Sequence, residues 1–362
     1  MTGGWMRAAL LVLLTIGTSC AAGRREAWSG TESTPIPQRA SQGAGEATIS
    51  EQVSRVQPRG AAGPVVLVTI DGARWQEIFG GTDTELSNHP RRLPSDLVPH
   101  IASMAKERGA AVGAPGKGTM AATGPNFVSL PGYTELLTGR APVGCQDNDC
   151  DATRTRTLLD EVHGAGGKVA AFASWERLER AATVRTGRFV VSCGRHGDDS
   201  IEPWPGEGDF RPDRYTAKIA LEYLESERPD ILFLGLGEPD EYAHKGDYDG
   251  YLSSLAYADS VVGRVFDTLE RMGARGAQTT VMVTADHGRA RDFANHGGFA
   301  PESARVWFVA AGPSITARGH VASASERHLA DVAPTLRLLL GLSRDRSLLA
   351  GRPMDELFAS SM

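Results

Sequence analysis

Short apolar runs that stop at a carboxylate recur along the chain: PVVLVTI ends at Asp71, DILFLGLGEP at Asp240 and TTVMVTA at Asp286. Each run is rich in Val, Ile, Leu or Thr, does not alternate with polar residues, and is too brief for a typical globular helix. The pattern therefore predicts strands buried on both faces. KVAAFAS and ARVWFVAAGP read as further strands. Between them, AKIALEYLESE and YLSSLAYADSVVGRVFDTLERMG carry apolar residues at helical spacing, the second stopped by Gly273, and HLADVAPTLRLLLG reads as a closing helix. This alternation predicts an α/β fold with one main sheet covered on both sides, rather than two equal domains. No internal repeat is apparent.

The amino end breaks the rhythm. MTGGWMR precedes a short apolar stretch ending at Cys20, the layout of an export signal over residues 1–20. A buried amphipathic helix is the alternative, but the polar residues that follow give it little to pack against. Cys20 stands where a bacterial lipoprotein would be cut and acylated, so lipid attachment and ordinary signal cleavage both stay open. The stretch is too short for a permanent membrane span. Residues 21–63 are polar and broken by Gly and Pro, which predicts a flexible linker, and the catalytic body is expected over 64–362. The expected location is the bacterial cell envelope or the exterior, with lipid anchoring to a membrane as one form.

With 41% hydrophobic and 23% charged residues and a net charge of −6, the composition is that of a globular protein. No basic stripe interleaved with aromatics recommends a nucleic-acid polymer. Export licenses a disulfide, and Cys145 and Cys150, bracketing CQDNDC, are the preferred pair; either could instead join Cys193. A zinc-thiolate knuckle is less favoured with three cysteines in the body.

Ligands at the carboxyl ends of several strands can converge on one crevice of an α/β sheet. Asp240 and His244 are four positions apart, on one side of the chain if EPDEYAH makes a helical turn. A solvated acidic turn is the bland alternative. Asp286 and His287 are adjacent, and an irregular strand exit could turn both inward. His296 lies among small residues that permit close approach to a metal. Ser129, in NFVSLPGYTELLTGR, either caps a helix or serves as a nucleophile favoured by the helix terminus.

In order, VTIDG, FVSLPGYTELLTG, EPDEYAH, TADHG and NHGG, followed by DVAPTLRLLLG and GRPMDE, resemble the alkaline-phosphatase superfamily, especially its type I phosphodiesterase and nucleotide pyrophosphatase branch. The resemblance implies a central mixed sheet flanked by helices and two zinc ions, other divalent ions being alternative occupants. One metal would use Asp240, His244 and His296. The second would use Asp71, Asp286, His287 and the oxygen of Ser129, which would attack phosphorus to give a phosphoserine. Serine stands where that branch commonly has threonine, and LPGY replaces its usual continuation. Asn148 resembles the family's phosphate-contacting Asn, with an Asn turn beside Cys150 as the alternative. Lys117 does not fit a P-loop.

The implied reaction is hydrolysis of a phosphodiester or pyrophosphate in a phosphate-ester or nucleotide-like small molecule. Phosphate monoesterase, sulfatase or phosphonate hydrolase, and phosphomutase are the alternatives. No Cys-x-Pro-x-Arg sequence suggests the usual sulfatase nucleophile. A secreted metal-stabilised binding protein is the non-enzymatic alternative.

Overall fold

Unbroken apolar runs form the centre of the sheet. The computed structural model describes residues 63–194, 210–345, 347 and 349–358; the signal segment, Cys20 and residues 21–62 of the linker lie outside the described residues. The strands are β1 Val65–Ile70, β2 Gly109–Val112, β3 Met120–Ala121, β4 Val169–Ala173, β5 Val190–Cys193, β6 Ile231–Leu236, β7 Thr280–Thr284, β8 Arg305–Val306, β9 Phe308–Ala311, β10 Gly319–His320 and β11 Arg327–His328. Eight of them make one sheet in the order β10-β2-β9-β7-β1-β6-β4-β5. Only β9 runs antiparallel to its neighbours, so the sheet is mixed. β3, β8 and β11 form a separate small sheet.

Every residue of β1, β6 and β7 is buried, as continuous apolar runs require when both faces are covered. β1 lies between the other two, with Thr69 opposite both Thr284 and Gly235. That register brings Asp71 and Asp286, each two residues further on, out at the same edge. Asp71 N–H donates to Leu236 O at 2.9 Å, tying the first exit to the third strand.

The long helix Tyr248–Arg271 begins with the Asp247 carboxylate accepting from Gly250 N–H at 2.9 Å and ends just before Gly273. The closing helix is Val332–Leu339 after a short 3₁₀ turn. ARVWFVAAGP is not one strand. It divides into β8 and β9, which belong to different sheets, at the fully buried Trp307. The Trp307 indole N–H donates to Ala73 O at 2.9 Å, and its carbonyl accepts from Thr284 Oγ1 at 2.5 Å. Those bonds fix the switch point between sheets. Among the described residues no helix is long and apolar enough to cross a membrane.

The helix Ser129–Thr138 rests directly on the exit of β7. A Cβ added at Gly132 would fall on the Asp286 carbonyl, 3.0 Å from its carbon. Replacement Gly132→Ala is therefore expected to cost about 1–3 kcal/mol by overpacking, read as a lower urea midpoint at unchanged slope. An unchanged midpoint would show that the helix can slide off the strand exit.

Candidate functional site

Four segments deliver the site: the exits of β1 and β7, the helix Glu238–His244 after β6, and the start of the helix Ser129–Thr138. The loop carrying His296 completes it. EPDEYAH does form a helix, opened by Glu238 and Pro239, so Asp240 and His244 share a face and His244 Nε2 sits 3.0 Å from Asp240 Oδ2. His296 Nδ1 faces Phe127 O at 2.9 Å, which leaves Nε2 aimed inward, 3.0 Å from His244 Nε2 and 3.8 Å from Asp240 Oδ2. These three residues form one group whose ligand atoms lie within 4.8 Å of one another.

Asp71, Asp240 and His287 form a second group by the same measure, so Asp240 stands in both. His287 Nδ1 faces Gly288 O at 2.9 Å, which fixes the ring and frees Nε2. That nitrogen lies 3.3 Å from Asp71 Oδ1 and 3.5 Å from Asp286 Oδ2. The irregular exit of β7 thus turns both Asp286 and His287 inward. His287 and His296 stack with ring centroids 3.9 Å apart.

Ser129 is the first residue of its helix and makes no capping bond; Val128 is the cap residue. Its hydroxyl instead donates to Asp71 Oδ1 at 3.4 Å and lies 3.2 Å from His287 Nε2. Asn148 Oδ1 accepts from Leu130 N–H at 2.9 Å, in the first turn of the same helix. An amide that accepts through oxygen turns its NH₂ group the other way. Cys145 and Cys150 are joined as a disulfide with Cα atoms 5.3 Å apart, and Cys193 is a buried free thiol.

The electrostatics are those of a crowded, dry cluster. Burial, then the neighbouring Asp71 charge, pushes Asp286 well above the usual carboxylate range. Burial opposes ionisation of Asp240 too, but the Arg289 guanidinium and the His296 and His244 imidazoles hold it well below that range. Against burial, the Asp286, Asp71 and Asp240 carboxylates raise His287 to about 10. Burial and the charge on His287 lower His296 to about 3, which keeps it in the neutral form that binds metal. Asp286 Oδ2 is buried with no hydrogen-bond partner. An orphaned carboxylate oxygen beside two inward imidazole nitrogens fits a divalent cation, and the mixed O and N donors suit zinc chemistry.

Three residues at this site went unread in the sequence. Tyr133 O–H donates to Asp71 Oδ2 at 3.0 Å. The Arg289 side chain is fully buried with its Nη1 on Asp240 Oδ1. Gly72, at φ +60°, leaves no room for a Cβ between Asp240 and Arg289. A basic residue two places after His287, inside an acidic constellation, was the available signal for Arg289.

Residues 208–344 match the model of the Metalloenzyme superfamily. The 2,3-bisphosphoglycerate-independent phosphoglycerate mutase of Haloarcula marismortui is 30% identical over 208 residues, 55% of this chain and 38% of that protein. Its counterpart from Nitrosococcus oceani is 26% identical over 49% of this chain and 35% of its own length. The chain thus spans well under half the length of these curated relatives. Among solved structures, a 2-O GAG sulfatase superposes with a TM-score of 0.58 at 14% identity, covering 82% of this chain and 74% of the other. The lipoteichoic acid synthase from Listeria monocytogenes gives 0.57 at 13% identity, over 83% and 77%. The chain carries an alkaline-phosphatase-superfamily-related fold; it is similar in sequence to phosphoglycerate mutases and in fold to sulfatases, and these likenesses do not single out the phosphodiesterase and nucleotide pyrophosphatase branch.

Proposed function

We propose that this chain is a metal-dependent phosphoryl-transfer enzyme that moves the phosphoryl group of a phosphate monoester to Ser129 and then to water. The observation that carries the reading is the placement of the Ser129 hydroxyl. It is withdrawn from helix capping and held between Asp71 and His287, at the positive end of a ten-residue helix. Divalent cations, zinc first among them, would be held by Asp240, His244 and His296 on one side and by Asp71, Asp286, His287 and Ser129 on the other. Cations there would favour the Ser129 alkoxide and offset charge on the phosphoryl oxygens.

Deprotonated Ser129 Oγ attacks phosphorus in line, and the bond to the ester oxygen breaks. That oxygen leaves on the His244 side, where the His244 side chain keeps 43% of its exposure and solvent can supply the proton. Water then attacks the phosphoserine and restores Ser129. The Asn148 amide is assigned as a donor to a nonbridging phosphoryl oxygen, because its carbonyl end is already committed to Leu130.

A monoester is preferred to the diester or pyrophosphate that the sequence resemblance implied because the relatives found by sequence are phosphoglycerate mutases. Sulfatase likeness stands at 14% identity and supports the fold alone, and the chain has no Cys-x-Pro-x-Arg sequence. Water is preferred as acceptor over a substrate hydroxyl because solvent reaches His244.

Metal-free protein is expected to gain thermal stability on addition of zinc, by about 2.7 kcal/mol at a hundred times the dissociation constant. His296→Ala should lose most of that gain. A zinc-independent unfolding curve, with full activity after chelation, would remove the metal from the reading.

Ser129→Ala should lower turnover by roughly three orders of magnitude or more while leaving the fold and most metal binding intact. Wild-type protein quenched during turnover should yield a phosphopeptide at Ser129. For substrate class, kcat/KM is to be compared on matched aryl phosphate mono- and diesters, a nucleotide pyrophosphate and an aryl sulfate. A monoester lead is expected; a consistent diester or sulfate lead overturns the substrate choice but keeps the site. Transfer of phosphate to an added hydroxyl compound in preference to water would replace hydrolysis by mutase chemistry.

A further inference from the structure

The buried guanidinium of Arg289 touches the one carboxylate that both ligand groups share. We propose that Arg289 is a positioning residue that commits Asp240 to the His244 and His296 metal through a single oxygen, an inference that rests on Asp240 being a metal ligand.

Asp240 has two oxygens with different surroundings. Oδ2 faces His244 Nε2 at 3.0 Å and His296 Nε2 at 3.8 Å. Oδ1 is taken by Arg289 Nη1. The guanidinium is itself fixed at its other edges: Nε donates to Phe293 O at 2.5 Å and Nη2 to Ala294 O at 2.7 Å. Three of its donors are thus used, in a planar fork that a lysine cannot reproduce. With Oδ1 held, Asp240 cannot turn that oxygen toward Asp71 and His287.

The backbone that receives Arg289 is also held in place. Phe293 has φ +66°, a left-handed conformation that a bulky side chain rarely adopts without outside support. The support is a cage. The Phe293 ring meets Tyr248 and Tyr251 edge-on at 5.1 Å each, with the Arg74 guanidinium 5.4 Å from its centroid. Both tyrosine hydroxyls donate to Glu77, at 2.8 and 3.2 Å, and Arg74 Nε donates to Glu77 at 3.0 Å. The left-handed turn at Phe293 aims its carbonyl at Arg289. On the far side, a Cβ at Gly72 would collide with Asp240 Oδ1 and lie 2.8 Å from Arg289 Nη1. The chain has therefore cleared space for the pair from one side and braced it from the other.

Charge and position predict opposite signs when Arg289 is removed. Deleting a cation beside a metal site would tighten metal binding if electrostatics ruled. Deleting a brace on a ligand weakens it, by about 10–100-fold for groups that orient metal ligands. The experiment is calorimetric titration of metal-free full-length protein with Zn²⁺, repeated with Co²⁺ while its visible absorption reports the coordination geometry. Arg289→Met and Arg289→Lys should both weaken one of the metal-binding steps by about 10–100-fold and change the Co²⁺ spectrum. Phe293→Leu, which keeps the arginine and removes the caged ring, should weaken the same step by a smaller factor. It serves as the test if the arginine variants fail to fold, as judged by circular dichroism. Tighter or wild-type binding in Arg289→Met, or a wild-type spectrum in Arg289→Lys, overturns the positioning role. Binding of neither metal by the wild type overturns instead the metal-site reading on which it rests.

Discussion

Three carboxylates, Asp71, Asp240 and Asp286, meet at the ends of neighbouring segments with exposures of 2%, 5% and 0%. Like charges this close and this dry repel strongly, and each also loses its hydration. The protein supplies partial compensation: Tyr133 to Asp71, Gly72 N–H to Asp286, Arg289 to Asp240, and the His287 ring between Asp71 and Asp286. One Asp286 oxygen still has no hydrogen-bond partner. Acidic and imidazole side chains gathered this closely, with one carboxylate oxygen lacking a hydrogen-bond partner, make a donor set that suits a divalent cation. Such crowding also explains why so much of the surrounding structure holds these side chains in place.

That holding begins with strand order. Placing β1 between β6 and β7 makes residues more than two hundred positions apart adjacent at one sheet edge. The helix Glu238–His244 is then fixed at its start by Asp213, whose carboxylate accepts from Gly237 N–H at 2.8 Å, Glu238 N–H at 3.2 Å and Ser174 Oγ at 2.5 Å. A buried carboxylate at a helix start satisfies otherwise orphaned N–H groups and faces the positive end of the dipole. The helix carrying Asp240 and His244 is therefore anchored through its backbone, independently of what binds to its side chains.

Much of this was legible in the sequence because burial on two faces writes unbroken apolar runs, and a carboxylate at the end of such a run has few structural reasons to be there. The strands at Asp71, Asp240 and Asp286, the helical turn of EPDEYAH and the long helix stopping at Gly273 were read on those grounds. β2 was not, since GAAV is small and weakly patterned; a Cβ at Gly109 would meet the Ala310 backbone, so close sheet packing demands the very residue that hides the strand. The break at Trp307 was hidden because both halves of ARVWFVAAGP are apolar, and periodicity does not report which sheet a residue joins. Tyr133 and Arg289 were missed for a related reason. A hydrophobic pattern records whether a residue is buried, not which polar atom it reaches across the fold.

The same distinction governs what separates this chain from its relatives. A carboxylate and imidazole core is compatible with several acyl-free transfers to and from phosphorus or sulfur, so the core cannot by itself choose the substrate. The choice falls to groups just outside it, and the CQDNDC loop, which meets the Ser129 helix through Asn148, is one such neighbour. That loop is closed by the Cys145–Cys150 disulfide, while Arg177 Nη1 bonds Asn148 O at 2.9 Å and Asp149 Oδ1 at 2.5 Å, and Arg180 Nη1 bonds Cys150 O at 3.0 Å. A side chain held by a covalent closure and two arginines, and bonded to the first turn of the Ser129 helix, has little freedom to move relative to that helix. The loop beside the candidate site is therefore fixed by contacts of its own, independent of whatever the carboxylate and imidazole cluster holds.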